Sequence, residues 1–276
     1  MDVIYVEELI THLITQLDNI KNLIYEKVTM LIDLLSIEDS CRTQKESEKF
    51  TNVNDCLISE LIKLVPESKE LFNAVICKAL KCNKILKIRI AKKADSSFEA
   101  YTKSYKNEIT ICLTSPIELE KLSSILVHEL GEADYVTSQF PFLDDPEIQE
   151  MYKIVEIFSH PHIRQLATYH KLESIEGLYR ERLTEFFLHN DYIKEYLKPW
   201  KIILMICWAI QTFPVIKEYK ENLKGYQDYK NSVERILVIR DSLNTNFCTK
   251  EEVRFAFEEI VEHLESLGMP DPGEIS

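Results

Sequence analysis

The sequence predicts an α+β fold that is predominantly helical, with one small sheet near the middle of the chain. Five glycines among 276 residues leave little material for a turn-rich β architecture. Long stretches repeat apolar residues at helical spacing. One region, about residues 85–114, alternates instead or gathers β-branched and aromatic residues.

Residues 2–37 carry Leu9, Leu13, Leu17, Ile20, Ile24, Val28, Leu31 and Leu35 along one side of a helix. The polar stretch from Ser36 to Asn54 reads as a loop. Helices follow near 55–64 and 67–82, separated at Pro66. ILKIRIAK (85–92), EAYTKSY (99–105) and EITICLT (108–114) read as strands of a mostly antiparallel sheet. The last two form a hairpin turning at Lys106 and Asn107. Ser115 and Pro116 read as the N-cap and first residue of a helix over 116–136.

From Asp144 onward the chain reads as helical. A helix starts at Asp145-Pro146, and Pro161 forces a break or kink near His160. Further helices are expected near 174–197, 199–213, 215–243 and 250–267. The last opens on Thr249 and Glu252 in capping-box spacing and stops at Gly268. No interdomain linker stands out. Residues 1–82 (N-terminal helices), 83–172 (core) and 173–276 (C-terminal helices) are therefore expected to form one continuous domain.

The formal net charge of −13 repels phosphate backbones and anionic membrane surfaces, so neither nucleic acid nor membrane is an expected partner. The lysines and arginine at 81–92 alternate with Leu86, Ile88 and Ile90 and read as the wet face of a half-buried strand. The apolar part of WKIILMICWAIQTFPVI, Ile202 to Ile210, falls short of the roughly 20 residues that span a bilayer and reads as a core helix. Seven scattered cysteines without a C-x-x-C pair, behind an N-terminus lacking a basic-then-apolar leader, fit a reducing cytoplasm. No G-x-G-x-x-G, G-x-x-x-x-G-K or G-x-S-x-G string occurs.

The segment His128-Glu129-Leu130-Gly131-Glu132 carries the chemistry. Residues i and i+4 project from the same face of a helix, so His128 and Glu132 can hold one metal ion between them. The adjacent Glu129 is placed to accept a proton from water activated by that ion. A third ligand is sought downstream in MYKIVEIFSHPHIR. Glu156 is a carboxylate among apolar neighbours, His160 is its rival, and His162 comes third.

A strand, a hairpin, this helix and then further helices follow one another over about residues 85–165. In that order and in the string itself, the region resembles the core of zincin metallopeptidases of the gluzincin type, with H-E-x-x-E in place of H-E-x-x-H. The resemblance implies a metal-dependent hydrolase, most simply a zinc-type peptidase acting on a peptide or protein. His128, Glu132 and a downstream residue (Glu156 or His160) would be the ligands, and Glu129 the catalytic base. The departure at Glu132 adds an anionic ligand, which lowers Lewis acidity and moves metal preference from Zn²⁺ toward Mn²⁺ or Mg²⁺. Two other readings are a metal-free, degenerate zincin-like protein that binds a partner, and an all-helical scaffold with no hairpin at 99–114.

Overall fold

The structure is a computed structural model that describes residues 31–46, 52–93, 99–141, 149–172, 198–218, 220–223, 225–243 and 248–270. It is predominantly helical with a small sheet, as expected. The hairpin at 99–114 is present, which removes the all-helical reading. The expected helix over 2–37 lies mostly outside the described residues, and its described end is not one helix, since Leu31–Ile32 is a strand and a separate helix starts at Leu34. The start at Asp145-Pro146 and the helix over 174–197 also lie outside the described residues.

The chain enters on β1 (Leu31–Ile32), followed by α1 (Leu34–Glu46), α2 (Val53–Leu64), a 3-10 turn at Pro66–Ser68 and α3 (Lys69–Lys81). Helix α1 occupies what the sequence reads as a loop. Asp33 caps it, accepting from the backbone N–H of Leu35 at 3.1 Å and from Ser36 Oγ at 2.6 Å. Arg42 pairs with Glu38 one turn back at 2.8 Å. Its apolar seam is narrow: Leu34 and Cys41 are buried, and Cys41 forms a disulfide with Cys56 of α2. A helix this polar at a protein's rim gives little periodic signal. The disulfide is unexpected for the reducing compartment that the cysteine pattern suggests; Cys77, Cys82, Cys112, Cys207 and Cys248 are free.

The sheet has the order β2 (Ile85–Lys92), β4 (Glu108–Ser115), β3 (Ala100–Ser104). Strand β4 is central and buried along nearly its whole length, as its unbroken run of apolar and β-branched residues requires. It pairs antiparallel with β3, from Ala100 opposite Leu113 to Ser104 opposite Ile109. Tyr105 N–H closes the turn on Glu108 O at 2.7 Å. Strand β2 pairs with β4 in parallel, from Ile85 opposite Glu108 to Lys92 opposite Ser115. The sheet is therefore mixed, antiparallel on one side and parallel on the other. Leu86 and Ile88 face the core, while Lys87 and Arg89 pair with Glu108 at the surface, the wet face that the alternation implies.

Ser115 is not a helix cap. Its hydroxyl donates to Asp33 Oδ1 at 2.9 Å, the Ser115–Pro116 bond is cis, and β5 (Ile117–Glu118) pairs antiparallel with β1 before α4 (Leu119–Thr137) begins. Next comes α5 (Gln149–Tyr169), which runs through Pro161 without ending. The C-terminal helices are α6 (Pro199–Thr212), α7 (Pro214–Lys217), a 3-10 turn at Lys220–Asn222, α8 (Tyr226–Asp241) and α9 (Lys250–Ser266). The helix expected over 215–243 is interrupted at Gly225, whose φ of 82° is a left-handed conformation that glycine tolerates without strain. Helix α9 has the capping box that the sequence announces, with Thr249 Oγ1 accepting from Glu252 N–H at 3.2 Å.

Two apolar clusters organise these elements. One joins α1–α3, the sheet and most of α4; the other joins α6, α8 and α9 with Ile154, Val155, Ile157 and Phe158 of α5. Helix α6 is a core helix, with Trp200, Ile203, Leu204, Ile206 and Ile210 buried. No helix among the described residues is long and apolar enough to cross a membrane. Helices α4 and α5 form the seam between the clusters, and the residues of chemical interest lie there.

Candidate metal centre

Helix α4 projects His128 and Glu132 from one face, with His128 Nε2 3.6 Å from Glu132 Oε1. Helix α5 brings His160 against them: the two imidazole rings meet edge to face at 5.0 Å between centroids. One ligand atom each from His128, Glu132 and His160 lie within 4.8 Å of one another, the one such group of metal-capable side chains among the described residues. In a tetrahedral zinc site, bonds of about 2.1 Å put the donor atoms about 3.4 Å apart. The His128–Glu132 pair is already close to that spacing, and the widest separation has to close by about 1.4 Å.

Two features let the helices approach. Gly131 has no side chain where α5 crosses, and Ile163 fills that space. Pro161, immediately after His160, is accommodated inside α5 rather than ending it.

Burial sets the electrostatics. It lowers His128 to about 4 and His160 well below the usual imidazole range, the latter helped by the neighbouring His128 and Arg164. Both rings are therefore neutral near pH 7, the form that binds a metal. Glu132 is pushed well above the ordinary carboxylate range by burial, and further by the nearby carboxylates of Glu129 and Glu156. His128 Nδ1 is buried with no hydrogen-bond partner among the described residues. The neutral imidazoles are ready to coordinate, and Glu132 would give up its proton as a cation binds.

Glu129 is buried at 4% exposure. Thr102 Oγ1, on β3, donates to Glu129 Oε2 at 2.6 Å. Burial raises the carboxyl to about 7 against the opposing effect of that hydrogen bond. This places it where a general base works best at neutral pH. Thr102 is absent from the sequence reading. The signal for it was the alternation of AYTKS, which puts Thr102 and Ser104 on one buried face.

The other candidates fall elsewhere. Glu156 lies outside the three-ligand group; Trp208 Nε1 of α6 donates to its Oε2, and burial raises its carboxyl against that bond and the charge of Lys153. His162 turns away to Asp134, at 2.9 Å from Nε2 to Oδ2. Asp134 is the anchor of that contact. It is buried and held on its other oxygen by Lys78 Nζ at 2.6 Å.

Comparison of the chain with protein families, with curated proteins and with solved structures finds no match. The functional reading therefore rests on this geometry.

Proposed function

We propose that the protein is a metal-dependent hydrolase of the zinc-peptidase type, with His128, Glu132 and His160 as ligands and Glu129 as base. The observation that carries the reading is the convergence of the three donor atoms from two helices within 4.8 Å. With His160 rather than Glu156 as third ligand, the donor set is two imidazoles and one carboxylate. That is the composition of a catalytic His₂Glu zinc site, with the glutamate and a histidine exchanged in chain order. The extra negative charge implied by the sequence alone disappears, and Zn²⁺ is favoured over Mg²⁺.

An ion bound there would supply the Lewis acid that makes water nucleophilic near pH 7. Glu129 accepts the proton that the water gives up. Thr102 fixes the Oε2 side of the carboxylate, which leaves Oε1 to take that proton. Strand β3 lies at the edge of the sheet and carries Thr102, so an extended peptide added along it runs beside the base.

We expect a cytoplasmic protein, since five of the seven cysteines are free.

The test is cleavage of a fluorogenic peptide library by the zinc-loaded protein. Cleavage that a chelator abolishes, and that Glu129→Gln loses while retaining zinc, is the expected result. Equal cleavage by Glu129→Gln, or cleavage indifferent to chelator, contradicts the proposal.

A further inference from the structure

Proline inside a helix removes the N–H that would bond the carbonyl four residues earlier, and its ring pushes that carbonyl aside. For Pro161 the carbonyl left without its donor belongs to Ile157. That residue is buried, so the vacancy cannot be filled by bulk water and is costly if left open. Arg240 of α8 fills it. Its Nε donates to Ile157 O at 3.1 Å, and the guanidinium lies 5.9 Å from the centre of the Phe158 ring. Arg240 is itself only 3% exposed. A buried guanidinium ordinarily engages a carboxylate; here a backbone carbonyl takes the Nε donor.

The repaired turn, Ile157 to Pro161, contains His160. We propose that Arg240 is a positioning residue for this ligand. It replaces the backbone donor that Pro161 removes and holds the turn so that the His160 ring meets His128 and Glu132. The inference rests on the metal-site reading above. It adds that a residue of the C-terminal helices, remote in sequence and not itself a ligand, governs how well the site holds its ion.

Proline and arginine do one job between them, which gives a direct test. Zinc affinity is measured on the full chain by competition with a chromophoric chelator, for wild type, Arg240→Met, Pro161→Ala and the double variant. Thermal unfolding of the chelated proteins is followed in parallel. Methionine keeps much of the volume and removes the donor. Arg240→Met is expected to weaken zinc binding about 10–100-fold, the usual cost of losing an outer support of a ligand. Pro161→Ala restores an N–H facing Ile157 O. It should therefore bring the double variant back to the affinity of Pro161→Ala alone, which a generally damaged core would not allow.

Zinc binding by Arg240→Met equal to wild type, or a double variant as weak as Arg240→Met, overturns the inference while leaving the metal site standing. Absence of zinc binding in wild type overturns both. If Arg240→Met fails to fold, the double variant decides: folding with zinc bound supports the role at the carbonyl, and failure to fold overturns it.

Discussion

Ile163 reaches into the space that a side chain on Gly131 would occupy. A β-carbon there would lie 2.8 Å from Ile163 Cγ1 and 3.2 Å from its Cβ, closer than carbon atoms pack. Glycine in mid-helix ordinarily costs stability. Here it allows α4 and α5 to cross closely enough for His160 to meet His128 and Glu132. The contact lies near the backbone of a β-branched residue, so a rotamer change cannot relieve it.

Gly131→Ala should therefore destabilise the protein by about 1–3 kcal/mol, the usual cost of overpacking, despite alanine's better helix propensity. It should weaken zinc binding as well. Denaturant unfolding and a zinc titration measure the two effects. Adding Ile163→Ala makes room for the new methyl, so the double variant should lose less stability than the two single losses added together. Additive losses would show that the contact does not set the helix spacing.

Glu156 and His160 compete for the role of third ligand, and the structure favours His160. Glu156→Gln should keep full zinc stoichiometry by elemental mass spectrometry. It should also change the fluorescence of Trp208, whose indole N–H donates to this carboxylate. Loss of zinc in Glu156→Gln would return the role to the glutamate.

The buried Asp134 between Lys78 and His162 makes a separate prediction about stability in acid. Burial alone would raise its carboxyl, but the hydrogen bonds and charges of His162 and Lys78 outweigh that and hold it below its ordinary value. A carboxyl with a depressed folded-state value stabilises fully above its unfolded value of about 3.9, and the contribution is lost as pH falls through the folded value. Lys78 is 45% exposed, so Asp134→Asn should cost about 2–3 kcal/mol at pH 7, somewhat less than breaking a fully buried pair. The difference from wild type should shrink below about pH 4. An undiminished difference at pH 3 in urea titrations would contradict this assignment.

Local chemistry made much of this fold legible in the sequence. The alternation in 85–92 and 99–114 gave the strands, Lys106-Asn107 the turn, and Thr249 with Glu252 the start of the last helix. The i,i+4 spacing of His128 and Glu132 pointed to two of the three side chains that converge in the candidate site. Helix α5 continues through Pro161, and Arg240 of α8 donates to the Ile157 carbonyl that the proline leaves without its N–H. The misreadings occurred where distant residues override a local signal. Ser115 does not cap a helix because Asp33 takes its hydroxyl. Helix α1 looked like a loop because its apolar seam is narrow and its support comes from Asp33 and a cross-link to α2. The choice of His160 over Glu156, and the bond from Thr102 to Glu129, depend on how α4, α5 and β3 pack together, which spacing along one chain does not encode.

The central claim is that His128, Glu132 and His160 bind one ion together. Its most direct test is the metal content of protein purified without chelator, by elemental mass spectrometry, beside His128→Ala and His160→Ala. The account expects close to one zinc per chain in wild type and a large loss in each variant, with circular dichroism unchanged. Wild-type protein that holds no zinc, manganese or iron even after incubation with the ions, or variants that retain as much as wild type, would contradict it.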